Sequence, residues 1–299
     1  MPHQQSTGHL AALFTIMIWG TTFISTKVLL VSFNPVEILF FRFILGLFVL
    51  FLLKPKLLHL TDRRQEITFA LAGLCGVCLY YLLENIALTY TMASNVGIIT
   101  SMAPFFTVLV THFITRDEKF HVGFFIGFIF AITGIVMISQ NGASFSVNPI
   151  GDFLALTASM VWAFYAVLSK KIGTYGYSTI QSTRRIFIYG LLFMIPSLFL
   201  FDVHLDLWRL ANPVNLLNLI FLGIGASAIC FITWNYSVKV LGAVKTSVYI
   251  YIMPVVTLIA SVLILHEPVT LLSLGGAGLI LLGLFLSETR FPKRNSSKN

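Results

Sequence analysis

The chain has 299 residues, of which 57% are hydrophobic and 10% are charged, and its mean hydropathy is +0.91. This composition excludes a water-soluble protein, because one soluble core could not bury so much apolar surface. The net charge of +8 does not indicate a nucleic-acid-binding protein, since the basic residues fall in loops between apolar segments. The chain is therefore predicted to reside in a lipid bilayer.

Apolar runs separated by Gly, Pro and charged residues predict ten membrane-spanning helices, each of about 20 residues. Five helices are predicted before the turn-forming stretch 140–149, near residues 10–31, 34–53, 66–90, 93–115 and 120–139. Five more are predicted near residues 150–171, 178–201, 213–237, 243–265 and 269–287. The expected fold class is an all-α integral membrane protein.

The basic residues are distributed asymmetrically between the two sides of this predicted topology. One side collects 14 of the 19, namely Lys54, Lys56, Arg63, Arg64, Arg116, Lys119, Lys170, Lys171, Lys239, Lys245, Arg290, Lys293, Arg294 and Lys298. The other side has only Arg209, and four more lie inside predicted spans. Because cytoplasmic loops carry the excess of Lys and Arg, both termini are predicted to be cytoplasmic, in the inner membrane. Nine or eleven spans would destroy the asymmetry.

The two halves of the sequence repeat one another at a nearly constant offset. The matched pairs are Trp19 with Trp162, Lys27 with Lys170, Arg42 with Arg185, Asn85 with Asn235, Ala93 with Ala243, Pro104 with Pro254, Thr107 with Thr257, Glu118 with Glu267, Gly127 with Gly276, and Gly134 with Gly283. Ordered matches of this kind indicate a duplication. Because each unit has an odd number of spans, the second is inverted in the membrane, an architecture typical of secondary transporters.

The predicted units are a first five-helix repeat at 8–140, a second at 149–288, and a basic cytoplasmic tail at 289–299. Substrate is expected between the two repeats, near the middle of the membrane.

Several short motifs carry a resemblance to a known family. They are I-W-G-T-T-F at 18–23, F-F-R-F at 40–43, E-N-I-A-L-T-Y-T-M-A-S at 84–94, A-P-F-F-T at 103–107, M-P-V-V-T at 253–257 and H-E-P-V-T at 266–270. In this order and spacing the chain resembles the drug/metabolite transporter superfamily, specifically its EamA type, over nearly its whole length. The resemblance implies a metabolite exporter or importer, with amino acids among the cargoes of the family.

Three charged residues inside predicted spans are candidate substrate-binding residues. Arg42 lies about 17 Å from the cytoplasmic end, too deep to reach the interface, so it is either an anion-binding or gating arginine or part of an ion pair. The ion-pair partner would be Glu84 or Glu37. Arg185 either shares the role of Arg42 or reaches the interface, where Arg184 is also expected. Glu84 is either a proton or substrate contact or a salt-bridge partner.

Polar and aromatic residues complete the predicted site. Asn85 and Asn235 are the repeat-related amides beside the buried charges. Trp19, Trp162, Tyr81 and Tyr165 either line an aromatic cavity or pack in the core. Pro104 and Pro254 are expected to kink equivalent helices, because proline frees a backbone carbonyl.

The sequence favours a secondary transporter that moves an amino acid or related metabolite, with export as the expected direction. Transport of organic anions or cationic drugs is the alternative within this class, and a channel or a non-transporting scaffold is the alternative outside it. An enzyme is not expected, because no H-E-x-x-H, G-x-S-x-G or P-loop motif occurs. The expected partners are the substrate, the lipid bilayer and a coupling proton or exchanged substrate, with a homodimer left open. No cofactor, metal or nucleic acid is expected.

Overall fold

The computed structural model of the protein describes residues 2–91, 93–114, 122–139, 148–201, 203, 206–265 and 271–288. Every regular element in these ranges is a helix, so the prediction of an all-α fold is confirmed. The predicted tail 289–299, the H-E-P-V-T motif and the Glu118 and Glu267 pair lie outside the described residues, as do the basic residues Arg116 and Lys119.

The first half contains α1 (Pro2–Leu29), α2 (Pro35–Leu53), α3 (Arg63–Tyr90), α4 (Ala93–Thr100), α5 (Ala103–Ile114) and α6 (Val122–Ser139). The second half contains α7 (Pro149–Gly173), α8 (Thr179–Leu200), α9 (Pro213–Leu241), α10 (Ala243–Val248), α11 (Met253–Leu265) and α12 (Leu271–Glu288). Short 3₁₀ turns, Leu207–Ala211 and Tyr249–Ile252, precede α9 and α11.

Seven stretches are helical, long and apolar enough to cross a bilayer: Gln4–Leu29, Pro35–Leu53, Arg63–Tyr90, Pro149–Gly173, Thr179–Leu200, Pro213–Leu241 and Ala243–Ala260. Three shorter apolar segments, Ala103–Ile114, Val122–Gly134 and Leu274–Gly283, lie where the sequence predicts the fourth, fifth and tenth spans. Large apolar side chains such as Phe48, Phe199 and Leu200 are exposed on the outside of the bundle. An apolar exterior of this kind is typical of a surface that faces lipid.

Three of the helices begin with an Asn-Pro pair. Asn34, Asn148 and Asn212 each accept a backbone N–H of the first turn with the side-chain oxygen, and proline follows at the first helical position. Proline is well suited there because its missing N–H has no partner in a first turn anyway. These pairs fix the starts of α2, α7 and α9.

The third helix of each half, α3 or α9, is interrupted by a π-helical segment. Leu74–Leu79 interrupts α3 and Phe221–Ile229 interrupts α9, and both segments end at positions 150 residues apart, as the sequence repeat requires. Such segments occur often at functional sites, since they change which side chains a helix directs inward.

Helices α6 and α12 cross with glycine against glycine. A Cβ atom at Gly134 would collide with the carbonyl oxygen of Gly276, and one at Gly283 would collide with that of Gly127. The residue numbers rise along one helix as they fall along the other, so the helices run antiparallel. The four glycines are the two repeat-related pairs that the sequence predicts, and their contact is symmetric between the halves.

Candidate functional site

A small cavity lies between the two halves of the bundle. It is lined by Trp19, Thr22, Phe23, Tyr80, Tyr81, Glu84, Thr100 and Ala103 from the first half and by Trp162, Ile250 and Met253 from the second. Its volume is about 20 Å³, which gives room for about one water molecule. The described conformation therefore leaves no room for a substrate at this position.

Tryptophan rings from both halves form one wall of the cavity. The rings of Trp19 and Trp162 meet edge to face, with centroids 5.2 Å apart, and the centroids of Trp19 and Trp234 are 5.1 Å apart. The Trp19 Nε1 donates a hydrogen bond of 2.9 Å to the carbonyl oxygen of Ala226 in the π-helical segment of α9. This bond fixes the ring across the boundary between the halves. Trp19 and Trp162, both predicted site residues, are thus brought together.

Tyr81 and Glu84 lie three residues apart on α3, so they share one face of the helix. Both line the cavity, together with Tyr80, and the Glu84 side chain is buried. The neighbouring Asn85 points elsewhere: its Nδ2 donates to the carbonyl oxygen of Pro35 at 3.1 Å. The structure therefore brings Tyr81 and Glu84 to the cavity but not Asn85.

Arg42 is fully buried on α2, directly behind Tyr81. Its Cζ lies 4.5 Å from the centroid of the Tyr81 ring, a distance typical of a cation–π contact. Its Nε donates to the Ser227 hydroxyl at 3.0 Å, whereas Nη1 and Nη2 have no hydrogen-bond partner among the described residues. No carboxylate in the described ranges forms an ion pair with Arg42 within 4.0 Å.

Both ion-pair partners predicted for Arg42 are therefore wrong in this conformation. Glu37 instead pairs with Arg209, with Nη2 to Oε1 at 2.9 Å and Nη1 to Oε2 at 3.0 Å. The same carboxylate accepts the backbone N–H of Asn34 and so completes the capping box of α2. Glu37 is satisfied by these groups at the end of the helix and does not face the centre.

Close helix contacts show which residue of the second half is equivalent to Arg42. Gly46 of α2 approaches the backbone of Gly223, and Gly190 of α8 approaches the backbone of Gly73. Since Gly73 and Gly223 are related by the offset of 150, Gly46 corresponds to Gly190. The same register makes Ile186 the equivalent of Arg42, one residue beyond Arg185.

The structure also distinguishes the two arginines of α8. Arg185 donates to Glu66 at 2.6 and 2.7 Å and does not line the cavity. Arg184, expected at the interface, is only 2% exposed and donates to the backbone carbonyl oxygens of Lys54 and Lys56. These contacts attach the loop after α2 to the start of α8.

Tyr165 and Asn235 bind one another in a polar cluster next to the aromatic wall. The Asn235 Oδ1 accepts the Tyr165 hydroxyl at 2.6 Å and the Ser169 hydroxyl at 2.8 Å, and its Nδ2 donates to Thr183 at 3.0 Å. The cluster joins α7, α8 and α9. Tyr165 also contacts the Trp162 ring, with centroids 4.9 Å apart, so the cluster supports the cavity without lining it.

Pro104 and Pro254 are the second residues of α5 and α11. Pro104 follows the turn that separates α4 from α5, so it removes no helical hydrogen bond in the first turn of α5. Pro254 follows the 3₁₀ turn Tyr249–Ile252 inside the continuous helical stretch Ala243–Ala260. The residues immediately before them, Ala103 and Met253, line the cavity. Pro104 therefore begins a new helix, whereas Pro254 lies where a 3₁₀ turn passes into an α-helix.

The sequence did not single out several residues that line the cavity. Ile250 and Met253 lie at the break between α10 and α11, and Thr22 and Phe23 follow Trp19 on α1. Thr22 lies three residues after Trp19, so both residues share one helix face. This spacing could have identified Thr22 as a cavity residue from the sequence.

Comparisons with known proteins agree with this architecture. The EamA-like transporter family matches the chain twice, over residues 6–140 and 149–289. An uncharacterized transporter of Archaeoglobus fulgidus is 28% identical over 275 residues, which are 91% of this chain and 95% of that protein. A probable amino-acid metabolite efflux pump of Escherichia coli (strain K12) is 27% identical over 292 residues, 92% of this chain and 93% of the relative.

A solved crystal structure shares the fold with a TM-score of 0.74 and 20% sequence identity, and the match covers 95% of this chain and 96% of the other. The match to this structure extends across both halves of the bundle. Both halves of the present chain match the family model over almost their full length. The chain therefore belongs to the EamA-like transporter family.

Proposed function

We propose that this protein is a secondary transporter that exports a small metabolite, an amino acid or a related compound, by alternating access. The observation that carries the proposal is the small cavity whose lining residues come from both halves of the bundle. In transporters built from inverted repeats, substrate binds near mid-membrane where the repeats meet, and rocking of one repeat against the other exposes it to either side.

The chemistry of the cavity supports a small substrate with both apolar and charged groups. Tryptophan and tyrosine rings offer apolar surface and can bind cations, and the Glu84 carboxylate faces the same space. The relative from Escherichia coli is named a probable amino-acid metabolite efflux pump, which favours an amino acid over other small metabolites and export over import.

The proposed topology has ten membrane helices with both termini in the cytoplasm. The three short apolar segments, with α4 extending the one at Ala103–Ile114, supply the three spans beyond the seven long stretches. The structure groups the loops of the predicted cytoplasmic side: Tyr177 accepts a bond from Lys239 and contacts Thr61. A reporter fused to each terminus and active only in the cytoplasm is expected to be active at both.

Counterflow in proteoliposomes tests the transporter function. Vesicles containing the purified protein and loaded with one unlabelled compound are expected to accumulate the labelled form of that compound, with saturation. The panel comprises amino acids, organic anions and cationic drugs, so a hit outside the amino acids would identify the alternative cargo. Flux without stimulation by internal compound would indicate a channel, and no flux for any compound would indicate a scaffold.

A plugged cavity tests whether transport passes through this site. Ala103 lines the cavity and is 2% exposed, so Ala103→Phe is expected to abolish counterflow by filling the space. Ala211 is exposed in the 3₁₀ turn before α9, and Ala211→Phe is the matched control. Undiminished transport by a folded Ala103→Phe variant would place the route elsewhere.

A further inference from the structure

The Arg42 guanidinium is a buried charge with most of its hydrogen-bonding capacity unused. It carries five N–H donors, and among the described residues only Nε has a partner, the Ser227 hydroxyl. A buried ion that lacks a counter-ion and hydrogen bonds costs several kcal/mol. A position this unfavourable is retained in a membrane protein mainly where the charge has a function.

The surroundings of Arg42 compensate its charge only in part. The Tyr81 and Phe43 rings lie 4.5 and 5.4 Å from Cζ and provide cation–π contacts. Glu37 is engaged by Arg209, and Glu84 faces the cavity without pairing with Arg42. The described part of the chain thus supplies aromatic faces and one hydroxyl in contact with the guanidinium, and a carboxylate, that of Glu84, only beyond ion-pair distance.

Tyr81 is next to both the guanidinium and the cavity. It lines the cavity, and its ring contacts the Arg42 guanidinium. A rotation of this single side chain would therefore expose Nη1 and Nη2 to a molecule in the cavity. Two N–H groups on one planar fork match the two oxygens of a carboxylate, which they can bind in a bidentate manner.

We propose that Arg42 binds the carboxylate of the transported substrate, and that Tyr81 turns aside to admit it. The inference rests on the proposed transport function and specifies the chemical class of the substrate. A compound with a carboxylate supplies the directly bound acceptor that Nη1 and Nη2 of Arg42 lack among the described residues. Glu84, at the same cavity, is placed to meet an ammonium group, so amino acids are the first compounds to test.

The experiment compares each acid with its primary amide, which has nearly the same shape but no negative charge. Wild-type protein in proteoliposomes is assayed by counterflow with the 20 L-amino acids, lactate, pyruvate and benzoate, and with cationic drugs as compounds that lack a carboxylate. For every transported acid, competition by the amide is then measured. We expect the amide to bind about 10- to 100-fold more weakly than the acid, since a hydrogen bond to a charged group contributes about 1.5–3 kcal/mol.

Arg42→Met and Arg42→Gln remove the charge while keeping much of the side-chain length. Both are expected to lose the preference for acid over amide, and ligand-free Arg42→Met is expected to have a Tm equal to or above that of the wild type, because an unsatisfied buried charge has been removed. Arg42→Lys keeps the charge without the planar fork and is expected to retain part of the preference.

The outcomes separate the two proposals. If the wild type transports a compound but binds acid and amide alike, or if Arg42→Met keeps the preference, the carboxylate inference is wrong and the transport function stands. If both neutral variants fail to fold or melt well below the wild type, Arg42 is a structural group and the inference is also wrong. If the wild type transports no carboxylate but transports cationic drugs, the inference fails while transport by this chain is established. If it transports nothing, both proposals fail.

Discussion

Arg42 and Glu84 are both buried at the centre of the bundle, on either side of Tyr81, and they do not form an ion pair. The Arg42 guanidinium contacts the Tyr81 ring, and Glu84 follows Tyr81 by three residues along the cavity wall. The two charges therefore interact across a distance longer than the 4.0 Å of an ion pair. Pairing would have neutralised both groups and left little charge for a ligand to recognise.

This relationship predicts different consequences for two buried glutamates. Glu84→Gln is expected to change the free energy of unfolding by less than about 1 kcal/mol, because no ion pair is broken and the Gln amide oxygen can still accept from the Tyr80 hydroxyl. Glu37→Gln is expected to lower it by about 2–4 kcal/mol, because it removes the negative charge that pairs with Arg209, although Gln can still complete the capping box of α2. Thermal unfolding in detergent measures both variants. Equal destabilisation by the two substitutions would show that the charge of Glu84 stabilises the fold as much as that of Glu37.

Trp19 and Trp162 both line the cavity, but their indole N–H groups differ in hydrogen bonding, so the two residues can be compared in one experiment. Trp19→Phe keeps a ring but loses the bond to the Ala226 carbonyl, so we expect a loss of about 1 kcal/mol of stability and weaker counterflow. Trp162→Phe serves as its control, because the Trp162 Nε1 has no partner among the described residues. Stability is expected to fall less in this variant, and the reverse order would contradict the cross-repeat role of Trp19.

The glycine crossing of α6 and α12 predicts a strong effect from one methyl group. Gly134→Ala places Cβ against the backbone of Gly276 and is expected to cost about 1–3 kcal/mol, because a backbone atom cannot move aside cheaply. At Gly278, also on α12, an added Cβ would have no neighbouring atom within 4 Å. There Gly278→Ala is expected to be neutral or to stabilise by up to about 1 kcal/mol through helix propensity. Melting curves of the two purified variants provide the comparison.

The amide of Asn235 predicts a difference between the repeats. Asn235→Ala removes three hydrogen bonds, to Tyr165, Ser169 and Thr183, and is expected to cost about 2 kcal/mol at roughly 0.6 kcal/mol per bond in a membrane protein. Asn85→Ala removes the single bond to Pro35 and is expected to cost less than about 1 kcal/mol. If Asn85→Ala is the more damaging in unfolding experiments, the first repeat depends on its amide in a way that the described contacts do not explain.

Much of the fold follows from local patterns in the sequence. Apolar runs and Asn-Pro pairs mark the helices, because a bilayer requires internally bonded backbone and an N-cap requires a side-chain acceptor. Gly127 and Gly134 match Gly276 and Gly283 in the sequence repeat, and these four glycines lie where α6 and α12 cross. The aromatic candidates Trp19, Tyr81 and Trp162 do line one cavity.

Features that depend on neighbouring helices could not be predicted in this way. Arg184 and Arg185 are adjacent, so hydrophobicity alone does not tell which of them faces inward; the carbonyl oxygens of Lys54 and Lys56 decide it. The register of α2 against α8, which makes Ile186 the equivalent of Arg42, depends on the backbone contacts of Gly46 and Gly190.

The positions of the π-helical segments of α3 and α9 favour one order of events in the ancestry of this chain. A π-helical turn holds more residues than an α-helical turn, so the insertion of one residue into an existing helix can produce it. The segments Leu74–Leu79 and Phe221–Ile229 end at equivalent positions of the two halves. The simplest history has one insertion in a single ancestral unit, before the gene was duplicated, so that the widened turn was already present when the two inverted copies first packed together.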